Sequence, residues 1–363
     1  MHPAHLQSAE ALEAVSRAIS EWTVDQHHEE DATLEARFGP DSRRMWRSDV
    51  QQRVAHLVEA MAADETALFA ASASWIRAAF VARDMGEGDV LRSLACLRAV
   101  VSEHLPGPVA ARASAIIDAA MTDMPRGSEM PPSPLEHLGE RGTLARLFLL
   151  QLLQRDRAEA ERIVQELLDS NMSLAEIQER VLAPAMAEIG HMWHMREASI
   201  ADEHYCTAST QAILARLRGQ VICAQPNGLL AVSCSSGGDL HELGIRMVSD
   251  LFEVAGWRVE CLGSNMPAMD VAEAVGEQPH RGPADLLAVS AGTPLAVRSV
   301  ANLIATVRER ARPDVPVLVG GLPFHLAPNL WRKVGADGFA PTAGSAPETG
   351  LRLVRDRAGR ATA

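Results

Sequence analysis

Apolar positions along this chain keep two rhythms. Up to about residue 222 they recur every three or four residues, the spacing of helices packed on one face. Val54, Leu57, Val58 and Met61 show it within 50–62, and 6–22, 67–83, 90–104 and 110–121 continue it. Pro125, Pro131, Pro132 and Pro134 then deny a continuous helix, so 125–138 reads as a linker. Beyond it, 144–153 and 157–168 are helical. Ser173-Leu174-Ala175-Glu176 is a capping box that starts a third helix, running to about Trp193 and bent by Pro184. Ser199-Ile200-Ala201-Asp202 caps a fourth, running to about Ile222, which completes a bundle over 139–222.

From residue 227 the rhythm changes. Short apolar runs at 229–232, 259–262, 286–289, 315–319 and 338–340 alternate with helical segments, one of them 243–255, stopped by Gly256. Such alternation predicts a parallel sheet covered on both faces. The fold class expected is α/β plus all-α. A flavodoxin-like (Rossmann-like) five-stranded parallel sheet, order 2-1-3-4-5, occupies 227–355. It is preceded by the four-helix bundle and by a helical module over 1–124. That module's helix count and lengths are compatible with a globin-like sensor. Its His104 is better explained by the dipole at a helix C-terminus than as a ligand. Residues 355–363 read as a frayed end.

Composition narrows the function. Hydrophobic residues make up 47% and charged residues 22%, which suits folded domains. A net charge of −13 argues against a broad nucleic-acid surface. No apolar signal core and no bilayer-length uncharged run is present, so no membrane is expected. Cys96, Cys206, Cys223, Cys234 and Cys261 form no C-x-x-C pair. A cytoplasmic protein without a disulfide framework or zinc knuckle is the reading.

The chemistry sits on loops after the apolar runs. The first run leads to Gly238-Asp239-Leu240-His241-Glu242-Leu243-Gly244, the third to Ser290-Ala291-Gly292-Thr293 and the fourth to Gly320-Gly321. In an open α/β sheet these loops share the carboxyl edge, where ligands bind. An Asp two residues before a His can hold one ring nitrogen while the other faces a metal. The set D-x-H-x-x-G, then S-x-T or S-x-L, then G-G resembles the cobalamin-binding domain family over about residues 227–355. The resemblance implies His241 as lower axial cobalt ligand and Asp239 as its partner. Gly244 would clear space for the cofactor's nucleotide tail, Ser290 and Thr293 would hydrogen-bond it, and Gly320 and Gly321 would lie along it. Gly292 stands where family members usually carry a larger residue. Ser235-Ser236-Gly237-Gly238 in place of G-x-G-x-x-G counts against a flavodoxin-like nucleotide binder.

Ahead of the sheet, Trp193 is followed after nine residues by Glu203-His204. This W-x9-E-H spacing resembles the light-sensing adenosylcobalamin repressors of the CarH kind. There the Trp and the Glu-His pair cover the adenosyl group. By that resemblance, Trp193, Glu203 and His204 would form the upper face, and His194 would ligate cobalt from above after photolysis. A helical, non-basic module replaces the repressors' DNA-binding domain, which brings the chain nearer to photocobilins, where cobalamin is paired with a bilin. The expectation is therefore an adenosylcobalamin photoreceptor, a sensor rather than an enzyme. It would act as a homo-oligomer or through a signalling protein partner at the N-terminal module. A biliverdin at Cys96 is weighed against a plain buried thiol. The alternative is a corrinoid carrier protein for methyl transfer.

Overall fold

The computed structural model describes residues 1–83, 85–124 and 132–361. The first part is helical: α1 (Pro3–Ala14), α2 (Ser16–Glu30), α3 (Leu34–Phe38), α4 (Ser42–Ala63), α5 (Thr66–Val81), α6 (Glu87–His104) and α7 (Gly107–Asp123). The helix expected over 6–22 breaks at Val15, whose φ of −113° and ψ of 10° leave the helical region. The polar stretch 23–49 shows no stripe, yet it holds the rest of α2, α3 and the first turns of α4. In the first turns of α4 the inward positions are Ser42, Trp46 and Val50, with Arg43, Arg44, Arg47 and Ser48 exposed, too few apolar residues to make a stripe; further along, α4 packs against α1, α2, α5 and α7. A helix covered on several sides buries residues all round and shows little amphipathic contrast. Trp46, Arg53, Leu57, Glu59 and Met61 of α4 are all buried.

By contact clustering the chain divides into two units. The first joins Met1–Met130 with Thr293–Ala301 and Leu322–Val334. Within it, the Arg298 guanidinium donates to Glu59 at 2.7 Å and to Glu13 at 2.7 and 2.8 Å, and Glu59 also accepts from the Arg298 backbone N–H at 2.9 Å.

The second unit holds the bundle and the sheet. Residues 125–131 of the expected linker lie outside the described residues, and 134–138 form a helix, α8 (Pro134–Leu138), under a capping box from Ser133. There follow α9 (Thr143–Leu153), α10 (Arg157–Asp169), α11 (Leu174–Ile177), a π-helical segment Gln178–Leu182, α12 (Ala183–His194) and α13 (Ile200–Arg218). Helical backbone is continuous from Leu174 through the π segment to His194, so Pro184 lies inside the third helix as read, two residues past the π turn.

The sheet is β1 (Leu230–Ser236), β2 (Arg258–Met266), β3 (Leu286–Ser290), β4 (Val317–Gly320) and β5 (Gly338–Phe339). All pairs are parallel, in the order β2-β1-β3-β4-β5, as expected from the sequence. The covering helices are α14 (Leu243–Val254), α15 (Ala268–Val275), α16 (Val297–Arg310), α17 (Leu322–Leu326), α18 (Leu330–Lys333) and α19 (Ala346–Ala361). The C-terminal segment read as frayed is thus helical to Ala361, with 362–363 outside the described residues.

β1 runs past the apolar stretch into Ser233–Ser236, and all seven of its residues are buried. Ser249 donates to Ile245 O at 2.7 Å, which leaves Ser233 to donate to Ser249 Oγ at 2.7 Å. A hydroxyl satisfied this way sits in a core without the cost of an orphaned donor. One of the helices covering the sheet, α14, joins the core of the bundle. Phe148, Leu152, Val164, Ile177, Val181, Ile189 and Ile213 cluster with Met247 and Leu251 of α14.

Candidate functional site

At the carboxyl edge of the sheet, Ser235, Ser290 and Gly320 stand side by side in register on β1, β3 and β4. The loops beyond them build the site.

The β1 loop turns at Gly238, with φ of 86°, and its N–H donates to Asn265 Oδ1 at 2.7 Å. The Asn265 N–H donates to Asp239 O at 2.9 Å. Asn265 thus ties the loop to the end of β2. It was not singled out from the sequence, where only the turn-forming Gly263-Ser264-Asn265 inside a strand marks it. Its own φ of 57° is a conformation that Asn adopts more readily than most residues.

Asp239 is 3% exposed. Its Oδ1 accepts from His241 Nδ1 at 2.7 Å and from the His241 backbone N–H at 3.0 Å, and its Oδ2 accepts from the Gly292 N–H at 2.6 Å. Burial works to raise the carboxyl's pKa, but these bonds outweigh it and hold the pKa below the ordinary value. The same bond from Asp239 raises the His241 pKa against desolvation, helped by the Asp239 charge and, more weakly, by Glu203. The imidazole side chain is 65% exposed, and its Nε2 has no hydrogen-bond partner among the described residues. A carboxylate that fixes Nδ1–H leaves Nε2 as the ring's electron-pair donor.

Glycines clear the ground around it. A Cβ on Gly244 would come no closer than 3.8 Å to Ser290 Oγ. Gly321 has φ of 104°, and a Cβ there would fall 2.0 Å from Ala291 O, so this position needs glycine on both counts. At Gly320 the neighbour is Ala340 O, at 3.4 Å. A Cβ on Gly292 would meet the His241 side chain at 2.5–2.6 Å. Thr293 follows Gly292 directly and stands at the N-cap of the short turn Pro294–Ala296, with no side-chain cap bond.

Trp193, in the last turn of α12, is 38% exposed. Glu203, in the first turn of α13, accepts from Thr207 Oγ1 at 2.9 Å, and its charge reaches His241. His204 is exposed, with Nε2 3.6 Å from Glu203. His194 is buried, at 4%. Among the described residues no three His, Cys, Asp or Glu side chains are grouped to hold a metal ion. Metal contact here rests on one imidazole, which suits a metal already chelated in a macrocycle. A His with an outward nitrogen among small residues fits such a group.

Sheet order and site together define a corrinoid-binding module. Two family models, each described as a B12 binding domain, match residues 144–218 and 229–348, so the chain carries B12-binding domains over bundle and sheet alike. Monomethylamine corrinoid protein 1 of Methanosarcina acetivorans is 25% identical over 200 residues, spanning 53% of this chain and 89% of that protein. Dimethylamine corrinoid protein 3 of the same organism is 32% identical over 111 residues, 30% of this chain and 49% of its own length. A corrinoid protein of Desulfitobacterium hafniense is 24% identical over 213 residues, 56% of this chain and 94% of that one. Among solved structures, the Methanosarcina barkeri monomethylamine corrinoid protein is similar at 20% identity and a TM-score of 0.48, over 57% of this chain and 96% of that one.

These relatives overturn the photoreceptor reading. They are corrinoid proteins, those of Methanosarcina named for methylamines, not light sensors, and they favour the carrier alternative. W-x9-E-H misled because an indole and a carboxylate at the mouth of a bundle suit a small alkyl group as well as an adenosyl group. The post-illumination role of His194 falls with that reading. The biliverdin expectation finds no support either. Cys96 is 1% exposed, and burial, with Glu30 beside it, pushes its thiol up to about 12, which leaves little thiolate to attach a chromophore. No helix among the described residues is long and apolar enough to cross a membrane.

Proposed function

We propose that this chain is a corrinoid carrier protein for methyl transfer: it holds a corrinoid between bundle and sheet and presents its methyl group to partner methyltransferases. The observation that carries the reading is the Asp239–His241 pair at 2.7 Å, with Nε2 outward at the carboxyl edge. The corrinoid relatives stand beside it.

Each residue then has a task. Asp239 keeps the proton on Nδ1, so that Nε2 meets the cofactor's lower face as a neutral donor. Gly244, Ser290, Gly320 and Gly321 line the slot for the nucleotide tail, the glycines by giving room and Ser290 by its hydroxyl. Trp193 and Glu203 cover the upper face and limit water there, with His204 at the rim. Bound there, the corrinoid supplies a cobalt that accepts a methyl group and gives it up. The chain itself is not the enzyme. The bundle must yield for a partner to reach the methyl group, so the cap is a shield rather than a catalyst. A carrier of this kind works between two proteins, and its partners are the enzymes that load and unload it.

Titration of the purified protein with methylcobalamin and adenosylcobalamin in darkness tests the reading. The expected result is one equivalent of methylcobalamin bound. Retention of adenosylcobalamin with exclusion of methylcobalamin would contradict it.

A further inference from the structure

Position 292 has no room for a side chain, and the structure shows why. We infer that Gly292 positions His241, giving the imidazole its seat and holding Asp239 from the far side; this rests on the corrinoid reading above.

A Cβ on Gly292 would fall 2.5 Å from His241 Cγ and 2.6 Å from both Cβ and Nδ1. Those distances are far inside van der Waals contact, so no side chain fits while the ring is there. Backbone strain is not the reason for the glycine, because the φ of Gly292 lies outside the left-handed region. What needs glycine is the ring beside it.

The loop has little freedom to retreat. Ser290 is the last residue of β3, paired to β1 and β4. The Ala291 N–H donates to Gly320 O at 3.0 Å, and Gly321 packs so close to the Ala291 carbonyl that its own Cβ would be 2.0 Å away. The Gly292 N–H is committed to Asp239 at 2.6 Å. His241, by contrast, is 65% exposed at its side chain and free to swing outward. A methyl group at 292 therefore displaces the imidazole, and because His241 Cβ is itself 2.6 Å away, the β1 loop that carries the ring has to shift with it. The ring then loses its bond to Asp239, and Nε2 loses its aim. Gly292 is a positioning residue: it touches the ligating side chain and the carboxylate behind it.

The test compares wild type, Gly292→Ala and His241→Ala, each uniformly ¹⁵N-labelled. In the protein without cofactor, long-range ¹H–¹⁵N spectra of the histidine rings report the Nδ1–H tautomer, His241 being assigned by its loss in His241→Ala. The Gly292→Ala spectrum should lose that signature, with the unfolding midpoint nearly unchanged. Loaded with unlabelled cobalamin and reduced to Co(II), wild type should show a doublet nitrogen splitting in the electron paramagnetic resonance spectrum, from a ¹⁵N imidazole. Gly292→Ala should lose the doublet, with binding weaker by about 10–100-fold, the usual cost of disturbing a ligand's supporting partner. An unchanged ring signature in Gly292→Ala, or an unchanged doublet, overturns the assignment. So does a variant that fails to fold, because the β1 loop with its exposed ring is the part that gives way. Absence of the doublet from wild type with an intact Nδ1–H signature would instead count against the corrinoid reading.

Discussion

Asp239 lies buried at the carboxyl edge of the sheet and accepts from Nδ1 of a largely exposed His241 at 2.7 Å. A buried carboxylate with three donors around it is rigid; an exposed imidazole hung from it is aimed. Replacing Asp239 with Ala orphans the Gly292 N–H and frees the ring. Cobalamin affinity should fall by about 10–100-fold. Isothermal titration measures it, and an affinity equal to wild type would show that His241 needs no second bond.

Gly321 is required by the backbone itself. At φ of 104°, with Ala291 O in the way of any Cβ, Gly321→Ala has to move the β4 loop. The expected loss is about 1–3 kcal/mol of stability, the range for strain of this kind. Gly320→Ala, whose Cβ would stand 3.4 Å from Ala340 O, should cost less. Denaturant midpoints of the two variants give the comparison, and equal losses would contradict it.

Met247 and Leu251 place α14 in the core of the bundle, so bundle and sheet should unfold together. Leu251→Ala removes a side chain that is 5% exposed, at an expected cost of about 2–5 kcal/mol. Hydrogen exchange should then quicken in α9 and α13 as well as in α14. Acceleration confined to α14 would show that the shared cluster is not one cooperative unit.

The N-terminal helices carry an acid sensitivity of their own. Burial lowers His27 and His56 to about 4, with His28, Arg53 and Arg92 adding to the effect at His27 and Asp89 opposing it. Both folded-state values lie below the unfolded value of 6.5. Between pH 6.5 and 4 the unfolded chain therefore binds protons that the folded one does not, and stability falls as pH falls. For His27, which is 1% exposed, the fall from 6.5 to about 4 corresponds to about 3 kcal/mol at the acid end. Exchange of α2 and α4 amides at pH 7.5 and pH 5 measures it. The account expects faster opening at pH 5, and slower opening would reverse the sign.

Much of this was legible beforehand, for physical reasons. Apolar runs of four or five residues between helical stripes specify a parallel sheet, and the strand order followed. The capping boxes at Ser173 and Ser199 form as read. What escaped was whatever depends on packing rather than pattern. The first turns of α4 were invisible because their inward positions are Ser42, Trp46 and Val50, with exposed arginines between them. Ser233–Ser236 did not read as strand because three of the four carry hydroxyls; Ser233 meets Ser249 and Ser235 donates to His241 O, partners set by the fold. Gly292 looked like a blemish because its partner, His241, is 51 residues away along the chain. The Trp193 and Glu203 spacing suggested an adenosyl cap, yet residue types at the mouth of a bundle do not fix the size of the group beneath.

The central claim is that this chain carries a corrinoid on His241 for methyl exchange. The most direct measurement loads the protein with cobalamin, reduces it to Co(I), adds methyl iodide and follows absorbance, then adds a thiol with a corrinoid methyltransferase. The account predicts stoichiometric methylation and enzyme-dependent demethylation in darkness, with both impaired in His241→Ala. A protein that binds cobalamin but cannot be methylated, or that releases its alkyl group only under light, would contradict it.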